Sequence, residues 1–200
     1  MELEKILESA FQFHGHRCVL MPLGVRMGAL ALKELSVEKA EDRDPVALME
    51  LSDGQAGGCL IDGVQVVTGC TFGKGNIKKL QYGKLALTLV SKEKKQGVRI
   101  SVRPEVMMGI KSSQFSQLRA QGMPYSQIPR ETADAIIEPI LAKGDDELFK
   151  VEHLEEYYFE EEPLLYRGIK CSRCGEIVAE DRARLVEGKP YCIPCSGYAE

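Results

Sequence analysis

Leu3, Ile6, Leu7, Ala10 and Phe11 recur at the three-and-four spacing of an amphipathic helix, which predicts a helix over residues 3–13. A second apolar stripe, Val25, Met27, Leu30, Ala31 and Leu35, follows Pro22. Proline suits a first helical turn, so a helix is expected from about residue 22 to 35. Between the two, His14-Gly15-His16-Arg17-Cys18 reads as a loop. Residues 46–51 read as a short strand, and residues 78–82, 84–90 and 97–102 as antiparallel strands joined by short turns. Residues 112–120 and 130–142 are expected helices. A glycine-rich stretch at 53–58 leads into an apolar run to Val67 that is left without an element. Helices kept apart from a run of strands point to an α+β fold, with helices packed on a mainly antiparallel sheet, and not to a doubly wound one.

The pattern breaks after Lys143. Residues 145–162 hold nine acidic side chains against Lys150 as the one Lys or Arg, with Tyr157-Tyr158-Phe159 among them. The expected organisation is a core over 1–144, an acidic connector over 145–166 and a small C-terminal domain over 167–200. The aromatic trio should pack on the core or on a second protomer. At 200 residues, 44% hydrophobic and 28% charged, the chain has the composition of a soluble globular protein. No apolar run reaches the ~18 residues of a membrane span, and residues 1–5 lack a signal-peptide layout. The expectation is a cytoplasmic protein, in which seven cysteines serve as metal ligands or reactive groups rather than disulfides.

Four of those cysteines form two Cys-x2-Cys pairs, Cys171/Cys174 and Cys192/Cys195, separated by 17 residues. That spacing fits a four-thiolate structural zinc site with no open coordination position. About 30 residues bury little apolar surface, so the metal must supply folding free energy there. The segment carries six basic and five acidic residues, and four thiolates on zinc add two negative charges. The resulting slightly negative module argues against nucleic acid and for a protein partner.

The remaining chemistry is N-terminal. In an extended segment, positions i, i+2 and i+4 project to one side, so His14, His16 and Cys18 can converge. Imidazole and thiolate are ligands for a transition metal, with Cys59 as candidate fourth ligand or redox partner. The same pairing makes a nucleophile, Cys18, with His14 or His16 as base, and Cys18 lies just ahead of a helix start where the dipole favours a thiolate. Cys18 and His16 are therefore the candidate catalytic pair. Gly69-Cys-Thr-Phe-Gly-Lys-Gly-Asn76 is a candidate anion-binding loop through Lys74 and Asn76, although it lacks the P-loop pattern.

His14-Gly-His16-x-Cys18, Gly24-x-Arg26-x-Gly28, Cys59-x-x-Asp62, the 69–76 loop and Tyr82-Gly83-Lys84 together resemble the formylmethanofuran dehydrogenase E-subunit family over about residues 10–105. Many members have Pro-Gly after the cysteine, where this chain has Val19-Leu20. The cysteine quartet is similar to the DksA/TraR-type zinc finger. The resemblance implies an α+β core that forms a homodimer, sometimes with an appended finger, and a link to one-carbon or molybdenum/tungsten-enzyme metabolism. The expected function is a metal-binding accessory protein or enzyme with structural zinc in the finger and a second transition metal in the core. The alternative is a regulatory or interaction protein that docks through the finger and senses metal or redox state in the core.

Overall fold

The computed structural model describes residues 2–55, 57–160 and 167–198. The chain divides into two compact units, residues 1–159 and 160–200. In the first, helices α1 (Glu2–His14) and α2 (Met21–Leu35) precede strand β1 (Val46–Met49), helix α3 (Gly58–Thr68) and strands β2 (Ile77–Lys79), β3 (Ala86–Ser91) and β4 (Gln96–Val102). Helices α4 (Pro104–Lys111), α5 (Gln114–Ala120), α6 (Arg130–Ala142) and α7 (Asp145–Leu148) follow, and β5 (Phe149–Leu154) closes the unit.

The five strands form one sheet in the order β2-β1-β3-β4-β5. The sheet is mainly antiparallel, as expected, through the β1–β3, β3–β4 and β4–β5 pairings, but β2, expected to be antiparallel, pairs with β1 in parallel. The reason is α3: the apolar run left without an element is a crossover helix, and a strand–helix–strand unit returns in the same direction. Alternation along the strands sorts the two faces. Ala47, Met49, Leu87, Leu89, Val98 and Ile100 face the main core with Met21, Leu23, Met27 and Leu60 from the helices. Val46, Leu48 and Val90 face the other way, where Leu80, Tyr157 and Phe159 cover them. Tyr158, the remaining member of the aromatic trio, is exposed.

The acidic run differs from the connector expected from residue 145. Its first ten residues are α7 and β5, and β5 pairs with β4 along its whole length. Leu148 and Phe149 are buried within the main core. β5 itself holds a single acidic residue, Glu152, but acidic residues at 145–147 and 155–156 flank it and hide the strand from a composition reading.

Helices α2 and α3 touch through glycine. A Cβ on Gly24 would meet the Leu60 carbonyl oxygen at 2.2 Å, and one on Gly28 would meet a Val67 methyl at 2.4 Å. Gly63 fills the reciprocal role against the Met21–Val25 backbone. The Gly-x-Arg-x-Gly motif is therefore a close-approach surface. Its arginine, Arg26, donates to the Ile140 and Lys143 carbonyls at the end of α6 and pairs with Asp145, which suits a helix C-terminus. Gly24→Ala should cost about 3 kcal/mol, the upper end of ordinary overpacking, because the obstacle is backbone. Urea unfolding of the variant beside Gly109→Ala, where a Cβ meets nothing within 4 Å, checks this.

In the second unit, β6 (Gly168–Lys170) pairs with β7 (Ile177–Ala179) and β8 (Arg184–Val186) with β9 (Lys189–Tyr191), both antiparallel, and α8 (Ile193–Ser196) follows. The Ser172 amide donates to the Pro190 carbonyl and ties the two hairpins together. No helix among the described residues is long and apolar enough to cross a membrane.

Candidate metal centres

The finger's four sulfurs converge from two turns. Cys171 and Cys174 lie between β6 and β7, where the Gly175 amide donates to the Cys171 carbonyl and Gly175 takes φ +78. Cys192 and Cys195 flank the start of α8, and the Cys195 amide donates to the Cys192 carbonyl. All four Sγ atoms lie within 4.8 Å of one another. Cys174 and Cys192 Sγ are 3.9 Å apart, close to the ~3.8 Å edge of a tetrahedron with metal–sulfur bonds of ~2.3 Å. Backbone N–H groups of Cys174 and Cys192 pull the Cys171 thiol down to about 6, towards the thiolate that a metal needs. The residues fit structural zinc.

In the core unit, His14, His16 and Cys18 offer donor atoms that all lie within 4.8 Å of one another. The segment reaches this by a different route from the extended one expected. His14 is the last residue of α1, Gly15 turns the chain at φ +88, and Cys18 stands ahead of α2 with its carbonyl accepting from the Met21 amide. Arg17 pins the loop, donating through Nε and Nη2 to Asp134 of α6 and lying over the Phe11 ring. Burial alone would raise the Asp134 carboxyl, and the Arg17 guanidinium overrides it and holds it below the ordinary value.

Each donor has a distinct setting. The His14 Nδ1–H donates to Asp62 Oδ2 at 2.7 Å, which leaves Nε2 for a ligand bond. Asp62 Oδ1 accepts from Gln65, and Gln65 in turn accepts from the Phe72 amide. This carboxylate–histidine arrangement is the support that metal-binding imidazoles ordinarily have. His16 is held between the rings of His14 and Tyr125, at centroid distances of 4.4 and 4.6 Å. Its Nε2 is buried with no hydrogen-bond partner. A buried polar atom without a partner is costly, and a metal bond would satisfy it. The Cys18 thiol is drawn down to about 6, first by the hydrogen bond from Cys59, with burial opposing and the Leu20 amide and both histidines assisting. The residues present therefore fit a transition metal.

Cys59 takes a different place from the fourth ligand expected. Its Sγ lies 2.9 Å from Cys18 Sγ, outside the three-donor group. The Cys18 contact and burial push its thiol far up, so it stays protonated and acts as a donor to Cys18. Cys59 and Asp62 reach the loop together because they are three residues apart on α3. Cys70 is buried against the Pro45 carbonyl and belongs to the core.

The two side chains of the expected anion loop are engaged within the fold. Lys74 Nζ donates to the Ala40 carbonyl. Asn76, 1% exposed, accepts from the Thr71 amide and donates to the Asp42 and Pro45 carbonyls. Both side chains fasten the turn to the 40–45 segment, and Asn76, with both of its N–H groups on backbone carbonyls, has no donor left for an anion. A cavity of about 500 Å³ opens instead beside His14, His16, Cys18, Asp62, Lys79 and Tyr125. Tyr125 lies in a 3-10 turn after α5, and nothing in its sequence surroundings marks it for the site.

Residues 13–150 match the family described as FmdE, molybdenum formylmethanofuran dehydrogenase operon. Residues 166–200 match the prokaryotic DksA/TraR C4-type zinc finger. The chain is 32% identical over 206 residues to a probable S-adenosyl-L-methionine-binding protein of Archaeoglobus fulgidus, covering 98% of this chain and 54% of that protein. The chain thus spans about half the length of the curated relative it matches. Its fold is similar to the crystal structure of a tungsten formylmethanofuran dehydrogenase FmdE-like protein from Syntrophus aciditrophicus, with a TM-score of 0.60 and 22% identity over 98% of this chain and 92% of that one.

Proposed function

The chain belongs to the FmdE family, and from that premise we propose that it is a metal-binding accessory protein or small enzyme of one-carbon or molybdenum/tungsten-enzyme metabolism. Its working centre is a transition metal held by His14, His16 and Cys18. The observation that carries this reading is the convergence of donor atoms of His14, His16 and Cys18 to within 4.8 Å of one another, on a segment where His16 Nε2 is buried without a hydrogen-bond partner. Three protein ligands leave a coordination position for a small molecule, which a metal in such a site can polarise or deprotonate. The residues' own tasks are separable. Asp62 fixes the His14 tautomer, Tyr125 packs against His16, and Cys59 supports negative charge on Cys18. Cys18 and His16, the pair expected to act as nucleophile and base, act in this reading as ligands. The same proposal includes a homodimer and a protein partner docked by the finger.

Metal analysis of the purified chain tests the centre. Wild type should carry two metals per chain, and Cys18→Ser or His16→Ala should carry one, with the finger still folded. A count that does not fall, or a wild-type count of one, overturns the reading. Asp62→Asn should keep the fold and weaken core-metal affinity by about 10- to 100-fold, the usual cost of losing the carboxylate behind a metal-binding histidine. Competition with a chromogenic chelator reads that loss.

A further inference from the structure

A second cavity of about 820 Å³ shares Cys18, Gly57, Cys59 and Tyr125 with the one beside the metal ligands. Its size falls within the range of small-molecule sites. Leu20, Leu85, Val102, Met107, Ile110 and Phe115 supply apolar wall. Lys84, Lys111 and Arg119 also line it, and among the described residues no aspartate or glutamate does. This is local: the chain as a whole carries a net charge of −4. Lys84 and Lys111 are exposed, and neither side chain makes an ion pair or hydrogen bond among the described residues. Arg119 donates through Nη1 to the Met123 carbonyl and lies over the Tyr125 ring at 4.0 Å, which holds its charge beside the cavity.

We propose that this cavity binds an organic anion with an apolar body, a carboxylate or phosphate monoester on a hydrocarbon or aromatic frame, and brings it against the Cys18–Cys59 pair. An apolar body gains burial against the wall, while the three cations attract the anionic end and repel a cationic one. Neutral apolar ligands would gain only the first of these. The shared lining residues make the ligand a neighbour of the metal ligands, so its role as substrate rests on the metal-centre reading. Its binding does not. Neither Cys18, 2% exposed, nor Cys59, 7% exposed, is accessible to a macromolecule, which favours a small ligand that enters the cavity over a docked surface.

Isothermal titration of the full-length chain with decanoate, decyl phosphate and decyltrimethylammonium tests this, with metal content measured on the same samples. At least one of the two anions should bind saturably, and the better of them identifies the head group. The cation should bind at least about tenfold more weakly, and the exposed charge reversal Lys84→Glu/Lys111→Glu should weaken the anion by about tenfold at unchanged metal content. Equal binding of anion and cation, binding indifferent to the charge reversal, or no saturable anion binding overturns the proposal. A wild-type chain with one metal that still binds the anion refutes the metal centre alone. Two metals with no anion binding refutes the cavity assignment alone.

Discussion

Stripping zinc from the finger, or replacing Cys192 by Ser, should unfold residues 167–198 and leave the core unit folded. The reason is burial. Among the described residues of that unit, Cys171 is the one buried side chain, and Ile177 and Leu185 are 72% and 70% exposed. Among the described residues, two hairpins of three-residue strands, a 3-10 turn and a four-residue helix offer no apolar interior to offset the conformational entropy of ordering them. Metal binding of about 10–16 kcal/mol near neutral pH, typical of structural zinc, is then the folding free energy itself. The core unit differs, because a large buried cluster of helix and strand residues stabilises it without the metal. Amide NMR spectra with excess chelator should lose the dispersed resonances of 167–198, keep those of the core, and recover the first set on adding zinc. Dispersion of the finger signals without metal would overturn the expectation.

What the sequence made legible follows from how each element is solvated. Helices α1 and α6 bury one face, so their periodicity can be read directly. Helix α2 is buried along most of its length, with Lys33 its one exposed residue, and was legible through Pro22 and its run of apolar positions. Helix α3 packs against both α1 and α2. Its residues Cys59, Leu60, Gly63, Val64, Val67 and Thr68 are buried, which leaves an apolar run with weak contrast and glycines where a helix reading would want alanine. Losing α3 also lost the parallel pairing of β2. The four-cysteine site was legible because its spacing dictates its geometry. The His14-x-His16-x-Cys18 group was legible by composition, although the convergence comes from a helix end and a glycine turn and not from a strand. Tyr125 stood beyond reach, since only tertiary packing brings residue 125 against residue 16. Lys74 and Asn76 carried ligand-like chemistry that backbone carbonyls of the 40–45 segment absorbed instead.

Arg99→Ala should destabilise the core unit by about 3–5 kcal/mol, the cost of removing one partner from a buried ion pair. Glu50, 4% exposed, stands just past the end of β1 and takes both Nε and Nη2 of Arg99, at 2.6 and 2.9 Å. Arg99 Nη1 reaches Glu152 on β5 at 2.7 Å. Removing the guanidinium leaves a carboxylate buried without its cation, while Glu152 at the sheet edge keeps Lys150. The consequence extends to the candidate site. The Glu50 carbonyl accepts from the Lys84 amide and its amide donates to the Ala86 carbonyl, so the ion pair anchors the strand end from which residues 52–58 run to Cys59. Chemical denaturation should show the loss, and the double variant Arg99→Ala/Glu50→Gln should recover part of it, because the stranded charge and not the lost contact carries most of the cost. A double variant no more stable than Arg99→Ala would place the cost in side-chain packing instead. If the strand end moves with the ion pair, core-metal affinity should fall in Arg99→Ala and return in the double variant, although neither residue is near His14, His16 or Cys18 in the chain.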